Sequence, residues 1–388
     1  MTMNIQNSKA PSNLGLYIHI PFCRRKCLYC DFCSFSAQKP NTVSEYVSAL
    51  CQELTERAEA CKNHTVDTVY FGGGTPTLLT AAQFSDIFSV LRENYNIAED
   101  AEITVECNPL THIEDRKAYF SSLLSLGANR LSIGVQSAND DELKLIGRGH
   151  TLADAERTYF DAREAGFENI SLDLMFALPS QTIESLQVSI ERLISLSPEH
   201  VSIYSLQLEE GTPLYKMQSK YDLPGDDLAA DMYELIVKRM AESGYIHYEI
   251  SNFAKDGFYS RHNSKYWSLD EYIGAGLAAH SDFLGVRQEN THELSDYLSG
   301  KRTISEQRIG SHEREEEYIM LGLRTKRGIS ADEFSARFGK NLFEIYGKKI
   351  ENLKKSDYIL IKDGKISLTE QGFEVSNAIL SEILDLNY

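Results

Sequence analysis

The sequence predicts an α/β protein, a partial (β/α)6 barrel followed by a C-terminal winged-helix-like α+β domain. Three observations predict it. Six β-rich runs recur between residues 15 and 206, with segments of helical apolar spacing between them, and such alternation builds a parallel sheet with right-handed crossovers. Chemistry-bearing residues collect at or just after the ends of those runs, where parallel α/β folds bind ligands. Past about residue 226 the alternation stops, and the last stretch reads helix, helix, hairpin, helix.

In chain order the predicted strands are 15–20, 66–72, 102–107, 130–135, 169–175 and 200–206. Thr42–Ala58, Ala81–Asn94 and Thr151–Ala165 carry helical spacing between them. Six units fall short of a closed barrel of eight, so the barrel is expected to be open. A helix at Asp226–Ser243 and an aromatic, histidine-bearing stretch over 245–283 follow. Ile329–Phe338 and Leu342–Ser356 read as amphipathic helices, Tyr358–Leu368 as a hairpin turning at Asp363-Gly364, and Glu370–Leu384 as helix. The expected division is a tail over 1–14, the barrel over 15–225, a connecting region over 226–310 and the winged-helix-like domain over 311–388.

Composition narrows the function classes. The net charge of −18 over 388 residues argues against nonspecific nucleic-acid binding, which needs cationic surface. No apolar run approaches the roughly 18 residues of a membrane span, and residues 1–13 carry no export pattern. Four of the seven cysteines crowd into residues 23–33, which suits ligation better than a disulfide framework and implies a reducing, cytoplasmic setting.

Cys23-Arg-Arg-Lys-Cys27-Leu-Tyr-Cys30 is the densest chemical signal. Three thiolates are one short of the four that a [4Fe-4S] cubane takes, leaving one iron open to a small molecule. Zinc is the rival, with Cys33 or His19 as a fourth ligand, but no second Cys-x2-Cys knuckle occurs. Gly72-Gly73-Gly74 lets the backbone approach a ligand, without the Lys-Ser/Thr of a phosphate loop. Glu106 and Asp173 lie in apolar strands, where a carboxylate is costly unless it meets a cation or donors. Arg148 is a candidate grip for a ligand carboxylate.

These segments together resemble the radical S-adenosylmethionine superfamily, in its oxygen-independent coproporphyrinogen-oxidase branch. The resemblance rests on Tyr17-Ile-His-Ile-Pro-Phe-Cys23-x3-Cys27-x-Tyr-Cys30, Gly72-Gly-Gly-Thr-Pro-Thr77, Glu106-Cys-Asn-Pro109, Asn129-Arg-Leu-Ser-Ile-Gly-Val-Gln-Ser137 and Leu172-Asp-Leu-Met-Phe-Ala-Leu-Pro179. It implies that Cys23, Cys27 and Cys30 hold a [4Fe-4S] cluster whose fourth iron takes S-adenosylmethionine. Gly73, Gly74, Thr75, Glu106, Gln136, Arg148 and Asp173 would line the S-adenosylmethionine site, with Tyr17, Tyr29 and Ser205 beside them.

Two functions divide the branch: a haem chaperone, and the oxygen-independent coproporphyrinogen III dehydrogenase of porphyrin biosynthesis. The dehydrogenases resemble C-x3-C-x2-C-x-C, whereas this chain has Phe32 at the fourth place and Cys33 one residue on. Only 22 residues precede the cluster motif. His262-Asn263-Ser-Lys-Tyr266-Trp267 fits the H-N-x-x-Y-W pattern associated with haem binding in the chaperone (HemW) group, where His262 would ligate iron, with His280 and Cys33 as other candidates. The expectation is therefore a chaperone binding cluster, S-adenosylmethionine and haem and delivering haem to acceptor haemoproteins. Reductive S-adenosylmethionine cleavage and homodimer formation are left open, and coproporphyrinogen III dehydrogenase activity is not favoured.

Overall fold

The computed structural model describes residues 13–36, 39–109 and 113–385. The expected tail lies outside these apart from Asn13 and Leu14, which already belong to the first strand. The barrel strands are β1 (Asn13–Ile20), β2 (Thr65–Gly73), β3 (Ile97–Cys107), β4 (Arg130–Gln136), β5 (Asn169–Phe176) and β6 (His200–Ser205). Between them run α1 (Pro40–Cys61), α2 (Ala81–Asn94), α3 (Arg116–Ser125), α4 (Asp140–Leu145), α5 (Leu152–Ala165) and α6 (Ile183–Leu196). Thr80 and Thr151 start α2 and α5 with capping boxes.

All neighbouring pairs from β1 to β6 are parallel. Strand alternation sorts the side chains. Leu14, Leu16, Ile18 and Ile20 of β1, with Val69, Phe71, Val105, Leu131 and Ile133, are buried in the main hydrophobic core with residues of the surrounding helices. The opposite phase, Tyr17 and His19, Tyr70, Glu106, Ser132, Asp173 and Tyr204, is polar. This phase faces the barrel interior, because side chains two apart share a face.

The barrel is open: β1 pairs with β2 on one side and with β9 (Tyr272–Ala275), in parallel, on the other. Residues 226–310 add strands at both edges. After α7 (Asp226–Glu242), β7 (Ile246–Glu249) and β8 (Asn252–Ala254) extend the β6 side. On the other side β9 leads to β10 (His280–Phe283), β11 (Val286–Asn290) and β12 (Thr303–Arg308). The sheet has twelve strands among the described residues, in the order β12-β11-β10-β9-β1-β2-β3-β4-β5-β6-β8-β7. The seventh parallel strand, β9, is only four residues long, too short for its period to stand out in the sequence.

The helix α8 (Arg261–Ser268) carries the histidine motif. It closes the end of the barrel opposite the cysteine loop. The Glu102 carboxylate accepts from the Arg261 and His262 backbone N–H groups at 3.0 Å each, and Lys265 pairs with Asp67 at 2.7 Å.

The C-terminal segment has its own core, with Ile319, Phe334, Leu342, Ile350, Ile366 and Phe373 buried together. Its elements are α9 (Ser311–Gly322), β13 (Ile329–Ser330), α10 (Ala331–Phe338), α11 (Leu342–Lys354), β14 (Ile359–Lys362), β15 (Lys365–Leu368) and α12 (Ser376–Leu384). The sheet order β13-β15-β14 is that of a winged helix. Two expectations need correction here. Ile329 and Ser330 pair with β15 as a strand, Ser330 then capping α10. The expected helix over 370–384 is present but interrupted at Val375, giving a five-residue helix at Glu370–Glu374, capped by Thr369, before α12.

Candidate cofactor site

A cavity of about 1100 Å³ opens at the carboxyl ends of the strands. Its wall includes Cys23, Cys27 and Cys30, together with Tyr17, Tyr29, Gly73, Gly74, Thr75, Glu106, Gln136, Arg148, Asp173, Ser205 and Tyr266. Residues from separate strands and loops thus meet at one mouth, as their strand-end placement predicts. His262, Asn263 and Trp267 are not on this wall.

The cysteine loop leaves β1 at Pro21. It is pinned to the glycine run by Gly74 N–H donating to the Ile20 carbonyl (2.9 Å) and Thr75 N–H to the Phe22 carbonyl (2.8 Å). A Cβ on Gly74 would stand 2.7 Å from the Phe22 carbonyl oxygen, and Gly73 has φ +107° with the His19 ring against it. These two glycines are therefore fixed by contact and by dihedral angle. The three thiols are free and half-buried. Thr75 Oγ1 lies 3.6 Å from Cys23 Sγ, and Arg148 Nη1 lies 3.6 Å from Cys27 Sγ. Burial pushes the Cys23 thiol up, and that of Cys30 up to about 11, so ligation must displace their protons.

Two carboxylates form the floor. Glu106 accepts from the Tyr70 hydroxyl (2.8 Å) and the Gly73 N–H (3.1 Å). Asp173 accepts from the Ser132 hydroxyl at 3.0 and 3.1 Å. Neither has an ion-pair partner among the described residues. Burial drives the Glu106 carboxyl up to about 7, opposed by the Tyr70 hydrogen bond and reinforced by Asp173. Burial also raises Asp173, against the Ser132 hydrogen bond and the Arg130 charge. Such carboxylates invite a ligand that brings a cation or hydroxyls. Gln136 sits at φ +70° at the end of β4, with Tyr204 donating to its side-chain oxygen at 3.0 Å. A non-glycine residue held there is the backbone strain common at binding sites.

Arg148, the candidate grip for a ligand carboxylate, reaches inward onto the cavity wall, its Nη2 donating to the Gly134 carbonyl at 2.6 Å. Sequence reasoning missed Tyr70, Ser132 and Tyr204, the residues that orient Glu106, Asp173 and Gln136. Their signal is the inward phase of the strand alternation.

His262 has a different setting. It is 1% exposed, with Nδ1 2.9 Å from Thr68 Oγ1, Nε2 2.9 Å from the Tyr266 hydroxyl and its ring stacked on Tyr70 at 5.2 Å. Burial holds its pKa down to about 3. Both nitrogens are engaged beneath the floor, and Asn263 and Trp267 are half-buried on the same helix. His280 and Cys33, in contrast, are on the cavity wall.

A model of the radical SAM superfamily matches residues 17–193, and a HemN C-terminal domain model matches residues 311–375. The chain is 37% identical over 377 residues to the heme chaperone HemW of Bacillus subtilis, covering 95% of this chain and 98% of that one. It is 35% identical over 379 residues to the heme chaperone HemW of Lactococcus lactis, covering 96% and 98%. The chain belongs to the HemW family of radical SAM proteins. The solved coproporphyrinogen III oxidase (HemN) of Escherichia coli, a radical SAM enzyme, shares the fold at TM-score 0.84, with 24% identity over 97% of this chain and 91% of that one.

Membership of the radical SAM superfamily implies a [4Fe-4S] cluster and S-adenosylmethionine, and the HemW-family residues here fit both. Three free thiols and an adjoining guanidinium share a wall with a glycine shelf and two unpaired carboxylates. No three His, Cys, Asp or Glu side chains among the described residues are arranged to hold a single ion. A [4Fe-4S] cubane takes cysteine thiolates, and Cys23, Cys27 and Cys30 bring theirs to the same cavity wall. His19 is also spent: its Nδ1 lies 3.0 Å from the Tyr17 hydroxyl and its Nε2 2.9 Å from the Cys33 carbonyl. Among the described residues no helix is long and apolar enough to cross a membrane.

Proposed function

We propose that this protein is a haem chaperone that carries a [4Fe-4S] cluster and S-adenosylmethionine, binds haem and delivers it to acceptor haemoproteins. The observation that carries this reading is identity of 35–37% to proteins named heme chaperone HemW, over nearly the full length of both chains. The likeness to the oxidase concerns the fold alone. Phe32, 67% exposed on the cavity wall, supports the reading, because the dehydrogenases resemble a pattern with cysteine there. In this reading the chaperone works in the cytoplasm, as a monomer or a homodimer.

In the same reading Cys23, Cys27 and Cys30 hold the cluster, and the glycine shelf, Glu106, Gln136, Arg148 and Asp173 hold S-adenosylmethionine. When bound, these groups supply one-electron reductive chemistry at the sulfonium. The chain's own part is positional: Tyr70 and Gly73 aim Glu106, Ser132 aims Asp173, and Tyr204 fixes Gln136. At about 1100 Å³ the cavity exceeds the usual range of roughly 300–1,000 Å³ for a single small-molecule pocket, which leaves room for more than one ligand.

The test adds haem, and separately coproporphyrinogen III, to anaerobically reconstituted protein. The expected result is stoichiometric haem binding without decarboxylation. Enzymic turnover of coproporphyrinogen III would replace the chaperone reading with the dehydrogenase one.

A further inference from the structure

The cysteine loop contains a tight turn. Cys30 N–H donates to the Cys27 carbonyl at 3.3 Å, so Leu28 and Tyr29 form the corner between two of the three thiols. Leu28 is fastened at both ends of its own backbone. Its N–H donates to the Ile146 carbonyl (3.0 Å), just past α4, and its carbonyl accepts from the Leu214 N–H (2.9 Å), in the short helix Pro213–Lys216 beyond β6. Its side chain packs on a satellite core of Ile146, Met175, Leu178, Leu206 and Leu214, separate from the main core of the barrel. Gly147 leaves the space for it: a Cβ there would stand 2.7 Å from Leu28 Cγ.

The residue after that glycine is Arg148, whose Nη1 lies 3.6 Å from Cys27 Sγ. One clamp thus holds both sides of that contact: the Ile146 carbonyl fixes Leu28, next to Cys27, and Ile146 lies two residues before Arg148. Between the buried Phe22 and Leu28 the loop has no apolar side chain apart from its cysteines, and Arg24, Arg25 and Lys26 are exposed. A loop without the second anchor would have to order its thiols each time a cluster is assembled, at a cost in conformational entropy. Fastening the corner between Cys27 and Cys30 lowers that cost. It also sets the distance from a cation to a ligating sulfur, which tunes a cluster's potential.

We propose that Leu28 is a positioning residue of the cluster loop, clamping the Cys27–Cys30 turn between residues 146–148 and the helix at 213–216 and so holding Arg148 against Cys27. This assignment rests on the cluster reading above. The test compares the reconstituted full chain as wild type, L28A, L28M, R148M and the L28A/R148M double variant. The rate of iron loss to a chelator and the cluster midpoint potential are read, with the urea midpoint of each apoprotein as the folding control. L28A is expected to release iron roughly tenfold faster, the scale of lost support around a metal site, and to have a lower potential. L28M, of similar volume, should restore both. The double variant should have the potential of R148M alone, because both changes remove the same contact. Additive shifts, or wild-type iron release in L28A, would overturn the assignment. So would an L28A apoprotein that no longer folds, which would make Leu28 an ordinary core residue. Failure of wild type to take up iron would instead overturn the cluster reading beneath it.

Discussion

Arg148 joins the cysteine loop to the barrel floor: its Nη1 stands 3.6 Å from Cys27 Sγ while its Nη2 donates to the Gly134 carbonyl at 2.6 Å. A cation so close to a thiolate favours the anionic sulfur and any added negative charge nearby. R148M should therefore lower the cluster's reduction potential in a spectroelectrochemical titration. It should also cost the apoprotein about 2 kcal/mol, the usual worth of hydrogen bonds from a charged donor. R148K should keep more of the potential than of the stability, because lysine preserves the charge without the planar fork.

The cysteines divide by position. C23S, C27S and C30S should each abolish stable reconstitution, measured as iron and sulfide per chain. C33S should retain about four irons per chain, the cubane complement. Cys33 points elsewhere, its Sγ 3.9 Å from the His292 carbonyl oxygen. Loss of iron in C33S comparable to the other three would make Cys33 a cluster ligand.

These predictions draw on two kinds of information. The cysteine triad, the glycine run and the strand-end carboxylates were legible in the sequence because each is a local pattern, and strand alternation brings them to one mouth. The setting of His262 was not legible, because its partner Thr68 is 194 residues away and that contact leaves no local trace. The same holds for Cys33 beside His292, separated by 259 residues. Strand β9 escaped because four residues hold too little periodicity, although its pairing with β1 continues the parallel sheet.

Gly74 and Gly347 should respond to alanine with opposite signs. At Gly74 the new methyl would meet the Phe22 carbonyl at 2.7 Å, a backbone atom that cannot swing aside. G74A should lose about 3 kcal/mol, the upper range for overpacking, and reconstitute poorly. Gly347 lies inside α11, where a Cβ finds ordinary contact at 3.6 Å from Phe343. G347A should gain about 0.7 kcal/mol from helix propensity. Urea denaturation of both apoproteins checks the pair.

Glu106 makes ligand binding pH-dependent. Its carboxyl, raised to about 7 chiefly by burial, is mostly protonated at pH 6. A cationic ligand binds the ionised form, so binding should release a proton and tighten as pH rises from about 6 to 8. Isothermal titration of S-adenosylmethionine in buffers of different ionisation enthalpy would count that proton. E106Q should flatten the profile and bind more weakly at pH 8 than wild type.

Glu249 provides the corresponding test for stability, away from the cavity. It is fully buried at the end of β7, its Oε2 accepting from the Ser251 N–H at 3.2 Å, with the Asn252 side chain beside it. Burial raises its carboxyl from 4.5 to about 7. Because the folded value lies above the unfolded one, its contribution to stability is fully present below pH 4.5 and is lost as pH rises to about 7. The unfolded chain ionises freely in that window, while the folded chain must either keep its proton or bury a charge. At 1.36 kcal/mol per pH unit, the loss between pH 5 and pH 8 comes to about 2.5 kcal/mol. Glutamine has the same shape and nothing to ionise. E249Q should therefore lose less stability than wild type over that interval, by about that amount, when urea midpoints are compared at the two pH values. The remaining slope should include the Glu106 contribution, which has the same sign. Equal slopes in E249Q and wild type would show that the Glu249 carboxyl ionises alike in the folded and unfolded chain, so that burial does not raise it.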